Sequence, residues 1–192
     1  LQEFSWFSSS RCLLDLGGGH GFIGIACAQA NPEMKVVIYD RPSVIQTAWE
    51  SVCFFGVEER VVCVGGDYTC DRIGSGYDIV LHICPADGPP DNDQKILSAV
   101  RGSLSRKGVY VRCGFFLDDN CAGPLLTASF ALAAEMRGEI RHRTVPEFCR
   151  MVRESGFESI KTIDMTPFCD LPMKLFICEV WESHRSDDGD LS

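Results

Sequence analysis

Apolar residues in this chain come in short runs set apart by glycine, proline and polar clusters, and the runs keep one of two periods. Leu13, Leu14 and Leu16, then Val36-Val37-Ile38-Tyr39, then Val61-Val62-Cys63-Val64, are compact runs of strand length. Helical patterns separate the first three: Phe22 to Gln29, and a segment that Pro42 opens and Gly56 ends just after Phe55. Gly74-Ser75-Gly76 marks a turn before a fourth strand that begins Asp78-Ile79-Val80-Leu81. Asp91 to Leu104 reads as a helix, with Ile96, Leu97, Val100 and Leu104 on one face. Lys107-Gly108 turns into a fifth strand, Val109-Tyr110-Val111. Pro124 then starts a long apolar helix through Ala134, and Pro146 to Glu154 forms another that Gly156 stops. Ser159 to Met165 and Lys174 to Trp181 are two last strands joined by a loop without a helix signal, the pattern of an antiparallel pair. Five strand-then-helix units and a closing hairpin predict an α/β fold. It is a Rossmann-like doubly wound sheet, mostly parallel, of seven strands with a C-terminal antiparallel hairpin. Ligands of such sheets lie at the carboxyl ends of the strands.

Composition narrows this picture. The 192 residues suit one domain over 1–182, followed at 183–192 by an acidic, disordered tail with Asp187, Asp188 and Asp190. A net charge of −9 argues against a nucleic-acid-binding surface. No apolar run reaches the roughly 18 residues of a membrane span. Leu1-Gln2-Glu3-Phe4 has neither the basic nor the apolar region of a signal peptide. The chain opens on leucine rather than methionine, as a fragment or a processed form does. The 11 cysteines are odd in number and form no C-x-x-C pair. Cys12, Cys63, Cys84, Cys113 and Cys178 fall in strand-like runs and Cys27, Cys53 and Cys149 in helix-like ones, so reduced, buried thiols in a cytoplasmic protein are expected, and no metal site.

The candidate chemistry begins where the first strand ends. Asp15-Leu16-Gly17-Gly18-Gly19-His20-Gly21 leads into a helix through glycines that let the backbone turn tightly and approach a ligand. The helix start behind them offers free N–H groups. Gly19 to Gly24 fits the dinucleotide spacing G-x-G-x-x-G, with Asp40 at the end of the second strand placed to accept from ribose hydroxyls. The same residues fit acid-x-G-x-G-x-G, a spacing that binds S-adenosylmethionine. Asp15 favours this second ligand, because a carboxylate there repels a pyrophosphate and suits an ammonium and a sulfonium. In Gly65-Gly66-Asp67-Tyr68, Asp67 adds an acceptor for an adenine amino group and Tyr68 a ring to pack beside it. A glycine turn that binds nothing is the plain alternative.

These stretches resemble the class I S-adenosylmethionine-dependent methyltransferases. More narrowly, they are similar to the catalytic domain of the small-molecule O-methyltransferases, the group of the acetylserotonin, caffeic acid and hydroxyindole enzymes. The resemblance covers about residues 4 to 181. It rests on Leu13 to Gly21, Tyr39-Asp40-Arg41-Pro42 and Gly65-Gly66-Asp67-Tyr68, and further on Gly123-Pro124-Leu125-Leu126-Thr127, Arg143-Thr144-Val145-Pro146-Glu147-Phe148 and Glu154-Ser155-Gly156-Phe157. It implies cofactor contacts at Asp15, Gly17, Gly19, Asp40, Arg41, Asp67 and Tyr68, with Asp40 on the ribose and Asp67 and Tyr68 on the adenine. The implied reaction is in-line methyl transfer to a hydroxyl of a small aromatic acceptor, leaving S-adenosylhomocysteine. Orientation of the acceptor and removal of its proton are then the enzyme's main tasks.

The chain departs from this family at its catalytic signature, H-D-W-x-D after the fourth strand. The matching residues are Asp87-Gly88-Pro89-Pro90-Asp91, so Asp87 stands where the family's histidine base does. A carboxylate is a weak base for a phenol unless burial raises its pKa. Of the two glutamates that orient the base in the family, Cys113 or Gly114 replaces the first and His142 the second. His142, in a loop expected at the substrate mouth, reads either as a relocated base or as a solvated residue between Arg141 and Arg143. His82 falls inside the fourth strand and reads as a core histidine, and His20 as a residue that shapes the glycine loop. The acceptor pocket would draw on Phe115, Phe116, Phe130 and Met136. It would also draw on the family's N-terminal dimerisation domain, where only Leu1 to Ser10 precede the first strand here. A homodimer or a missing domain is therefore expected to complete it. The leading function is S-adenosylmethionine-dependent O-methylation, with Asp87 and His142 as catalytic candidates. The alternatives are a cofactor-binding but catalytically degenerate interaction module, and a relative that uses the bound cofactor's charge in a pericyclic reaction.

Overall fold

A computed structural model describes residues 1–85, 90–137 and 142–180 of the chain. Its strands are Cys12–Leu16 (β1), Lys35–Asp40 (β2), Val61–Gly65 (β3), Tyr77–Ile83 (β4), Leu104–Phe115 (β5), Ser159–Asp164 (β6) and Met173–Glu179 (β7). They form one sheet in the order β3-β2-β1-β4-β5-β7-β6. The first five run parallel, and β7 runs antiparallel to both β5 and β6. This is the mostly parallel, doubly wound sheet of the sequence pattern, with β7 inserted between β5 and β6.

The helices are Ser5–Ser9 (α1), Phe22–Ala30 (α2), Pro42–Phe54 (α3), Pro90–Ser103 (α4), Leu125–Met136 (α5), Val145–Glu154 (α6) and Thr166–Cys169 (α7). Alternation along β1 explains the two layers. Leu13 joins Ile25 and Ala28 of α2 and Ala48 and Val52 of α3 on one face. Leu14 and Leu16 join Leu97 and Val100 of α4 and Phe148 and Val152 of α6 on the other. All three leucines are fully buried, each contributing about 1.5–3 kcal/mol. Beyond β5, the rings of Phe116, Phe148 and Phe176 meet with centroids 4.7 to 5.0 Å apart.

The structure corrects the sequence pattern in several places. No helix lies between β3 and β4, so among the five parallel strands a helix follows β1, β2, β4 and β5 but not β3. Leu104 already pairs with Tyr77, and the register slips before Ile79 pairs with Val109, so Lys107-Gly108 lies in a bulge within β5. The loop between the last strands contains α7, started by Asp164, whose Oδ1 accepts from Thr166 N–H at 3.0 Å and Oγ1 at 2.7 Å. α1 precedes the sheet, and Asn31 Nδ2 clamps it by donating to Phe7 O and Ser10 O, each at 3.0 Å. All eleven cysteines are free, yet only Cys27, Cys113 and Cys178 are buried, while Cys53, Cys70, Cys84 and Cys121 are exposed. Burial pushes the Cys27 thiol up to about 12 and the Cys113 thiol to about 11, which keeps both inert. Among the described residues no helix is long and apolar enough to cross a membrane, and no His, Cys, Asp or Glu group is arranged for a metal. Trp181 and the acidic tail lie outside the described residues.

Candidate functional site

Parallel order brings the carboxyl ends of β1 to β5 to one edge of the sheet, and most of the expected cofactor residues gather there. Gly17 and Gly19 follow β1 at φ +68° and +59°, left-handed backbone that glycine adopts without strain. The N–H groups of Gly17 and Gly18 donate to Tyr39 O at 2.7 and 3.3 Å, tying the loop to the end of β2. A side chain at Gly19 would meet nothing within 4 Å, so the loop presents bare main chain there.

Asp15 does not stand on that surface. Strand alternation turns it to the α2 face with Leu13, where it is 2 % exposed and its Oδ2 accepts Gly24 N–H at 2.9 Å. A Cβ at Gly18 or Gly24 would come within 2.9 Å of this carboxylate, so both glycines make room for it. Burial raises its pKa to about 6, opposed by the Gly24 N–H and reinforced by the charge of Asp40. The expected contact with a ligand's cation is thereby corrected. Asp15 lies beneath the loop and fastens the first turn of α2 to β1.

Asp40 latches the loop from above. Its Oδ2 accepts Gly19 N–H at 2.8 Å and its Oδ1 accepts Arg41 N–H at 2.7 Å. A carboxylate has about four acceptor positions, so about two remain for ligand hydroxyls. Arg41 is exposed at the start of α3. Asp67 is exposed after β3, and its Oδ1 accepts from Thr69 Oγ1 at 2.7 Å and Thr69 N–H at 2.9 Å. These bonds, helped by the Arg41 charge, hold its carboxyl below the usual range. Tyr68 is half-buried, with Cε1 3.6 Å from where a Cβ at Gly17 would stand. Sequence reasoning missed Tyr39 and Asp71. Asp71 Oδ2 accepts Asp67 N–H at 2.8 Å, and the Tyr39 hydroxyl hydrogen-bonds to the Asp71 side chain. Gly66 was the signal, since a Cβ there would collide with the Tyr39 hydroxyl. Bare main chain, spare acceptors on Asp40, the exposed Asp67 and the Tyr68 ring together fit a nucleoside.

On β4 and β5 a polar row lies under this edge. His82 is 4 % exposed and its Nδ1 faces Tyr110 Oη at 3.0 Å. Burial, then the positive charge of Arg112, hold its pKa well below the ordinary value, so the ring is neutral and in the core, as its place in the strand predicts. Arg112 lies over the Phe116 ring at 5.3 Å and donates to Cys113 O. A Cβ at Gly114 would stand 2.5 Å from Arg112 Nη1, so the guanidinium fills the space a side chain at Gly114 would need.

A cavity of about 290 Å³ opens beyond β5, lined in part by Leu117, Ala131, Leu132, Glu135, His142 and Glu147. The strands β1 and β5 are two places apart, about 10 Å at ordinary strand spacing. Leu117 N–H donates to Arg143 O at 2.9 Å and Val145 N–H to Leu117 O at 3.1 Å, which holds the segment with His142 against β5. Arg143 Nε reaches Asp93 Oδ2 at 2.8 Å. Thr144 and Glu147 form a capping box: Glu147 N–H donates to Thr144 Oγ1 at 3.3 Å and Thr144 N–H to Glu147 Oε2 at 3.0 Å. His142 Nδ1 is buried and has no hydrogen-bond partner among the described residues. The expected pocket residues lie elsewhere: Phe116 is in the core, while Phe130 and Met136 are exposed and Phe115 is half-buried. Glu135 and Glu147 were missed as cavity residues, and the R-T-x-x-E-F stretch was the one signal for Glu147. Asp87 lies outside the described residues.

A family model for the O-methyltransferase domain matches residues 1–158. Over 149 residues the chain is 26% identical to acetylserotonin O-methyltransferase of Macaca mulatta, a match that covers 78% of this chain and 43% of that protein. It is 25% identical over 157 residues to 3-hydroxy-5-methyl-1-naphthoate 3-O-methyltransferase of Streptomyces sahachiroi, covering 81% of this chain and 46% of that protein. Human N-acetylserotonin methyltransferase, solved in complex with S-adenosylmethionine, shares the fold with a TM-score of 0.77 at 22% identity, over 93% of this chain and 50% of the other. The chain spans about half the length of these relatives.

Proposed function

The chain belongs to the O-methyltransferase domain family, and from that premise we propose that it binds S-adenosylmethionine and methylates a hydroxyl of a small aromatic molecule. The latch of Gly19 N–H onto Asp40 at 2.8 Å, beside bare main chain and the exposed Asp67, is the observation that carries this reading. Gly17 and Gly19 would lie along the cofactor, Asp40 would accept from its ribose hydroxyls, and Asp67 and Tyr68 would meet its adenine, with Arg41 at the rim. When bound, the cofactor supplies an electrophilic methyl group on a sulfonium.

The remaining work falls to the chain's own residues. Leu117, Ala131 and Leu132 offer apolar walls to an aromatic acceptor. His142 Nδ1, without a hydrogen-bond partner among the described residues, is the candidate to take the hydroxyl proton, and the carboxylates of Glu135 and Glu147 would favour the imidazolium that results. Asp87 is the second candidate base. The named relatives given above are methyltransferases, which lends nothing to the degenerate module. The exposed Leu125, Phe130 and Met136 of α5 support a second subunit or a further domain that closes the cavity. Free thiols fit a cytoplasmic setting.

The test is methyl transfer to a panel of phenols and hydroxyindoles. Removing a general base costs about 10²–10⁴-fold, so H142A is expected to lose at least about a hundredfold in kcat while binding S-adenosylhomocysteine as the wild type does. Loss in D87A instead of H142A moves the base to Asp87. Cofactor binding with no transfer to any acceptor would favour the degenerate module.

A further inference from the structure

His82 carries a hydrogen-bonding atom that no described residue engages. Its Nδ1 is committed to Tyr110 Oη, while its Nε2 is buried with no hydrogen-bond partner among the described residues. Such an orphan costs about 1–3 kcal/mol and is uncommon in a folded core. A leucine would fill the same space on β4 without that cost, so the choice of histidine needs a reason.

Its surroundings supply one. His82 Cδ2, the carbon bonded to Nε2, lies 3.9 Å from where a Cβ at Gly17 would stand. Tyr68 packs across the same point, its ring 5.4 Å from the imidazole and at 83° to it. Three segments thus converge: the loop after β1, the loop after β3 and the end of β4. From β5, Tyr110 and the cross-strand neighbour Arg112 face the ring. Tyr110 holds the imidazole through Nδ1, and the ring edge that carries Cδ2 faces Gly17. Neutrality leaves the ring with one N–H and one lone pair, which sets Tyr68 in place without adding a charge near Asp40 and Asp67.

We propose that His82 is the positioning residue of the cofactor cleft: held by Tyr110, it sets the Tyr68 ring against Gly17, and its Nε2 gains a hydrogen-bond partner when S-adenosylmethionine binds. This rests on the cofactor assignment above and extends it to a side chain that the glycine loop and the acids do not identify.

Nitrogen-15 spectra of the histidine rings, recorded on the 192-residue chain during titration with S-adenosylhomocysteine, test it. There are 4 histidines, and H82F and H82Q assign the resonance. The His82 Nε2 signal is expected to move on titration. H82F, which keeps a ring against Tyr68 but loses the nitrogen, is expected to bind about tenfold more weakly, a loss of about 1.4 kcal/mol, and H82Q to recover part of it. Ligand binding that leaves the His82 signal still and the H82F affinity unchanged overturns the inference alone. A folded wild-type chain that binds no S-adenosylhomocysteine overturns it together with the cofactor assignment. Should H82F fail to fold, the wild-type spectrum decides by itself.

Discussion

Asp15 is buried and ionisable, and its carboxylate accepts the Gly24 N–H, so the anchor of the glycine loop responds to pH. Its pKa stands at about 6 in the folded chain, against an ordinary value near 3.9. Between about pH 4 and pH 6 the folded state therefore binds more protons than the unfolded one, and stability falls as pH rises through that window. The contribution is complete below about pH 4 and gone above the folded value, with a span on the order of 3 kcal/mol. D15N keeps an oxygen for Gly24 and removes the titration. Melting curves from pH 4 to pH 8 should show the wild type losing stability relative to D15N across the window; parallel curves would sink the idea. Asp40 makes a different residue-scale prediction. It holds Gly19 and Arg41 N–H groups through charge-assisted bonds, each contributing about 1.5–3 kcal/mol. D40A should weaken S-adenosylhomocysteine binding at least about tenfold by calorimetry, while D67A, at an exposed position, should weaken it without lowering the melting temperature.

Among the elements, α6 shows most directly how sequence sets the proposed acceptor side. Its capping box joins Thr144 to Glu147, which lines the cavity beside His142. T144A removes the cap and should cost about 1 kcal/mol in urea unfolding. Because the same contact holds Glu147 in place, acceptor KM should rise while cofactor affinity stays put. The T-x-x-E spacing of this cap stands in the sequence, although the pattern started the helix only at Pro146, and the sheet was legible through its compact apolar runs. Short elements were not: α1 has five residues and α7 four, too few to show a period. The bulge in β5 was hidden because pairing across to β4, not local sequence, decides where α4 stops and the strand begins. In the site, the loop and two of its acids stood out because the glycines follow β1, Asp40 ends β2 and Asp67 comes just after β3. The inward turn of Asp15 was in the sequence too, since Leu13 and Asp15 alternate with Leu14 and Leu16. The cavity was not, because Leu117, Glu135 and Glu147 come from a loop and two helices that meet only in three dimensions.

At the scale of the whole molecule, the sheet order divides the labour. The proposed cofactor residues gather at the carboxyl ends of β1, β2 and β3, while the cavity lies beyond β5, on the side of the antiparallel pair. Phe176 of β7 is fully buried against Phe116, which follows β5, and Phe148 of α6. That cluster ties the antiparallel strands to the segments that carry Leu117 and Glu147. Phe176 therefore acts on the cavity through packing, without touching a ligand of the glycine loop. Truncation to alanine leaves a void where the rings meet, and F176A should cost about 3–5 kcal/mol in unfolding free energy. Under conditions where the variant remains folded, the wall beyond β5 loosens while the latch between Gly19 and Asp40, on the far side of β4, does not. Acceptor KM should then rise severalfold, with the dissociation constant for S-adenosylhomocysteine within about twofold of the wild type, as separated sites behave independently. Equal losses in both would mean that the two halves of the sheet are coupled, and that the antiparallel pair supports the cofactor cleft as well as the acceptor cavity.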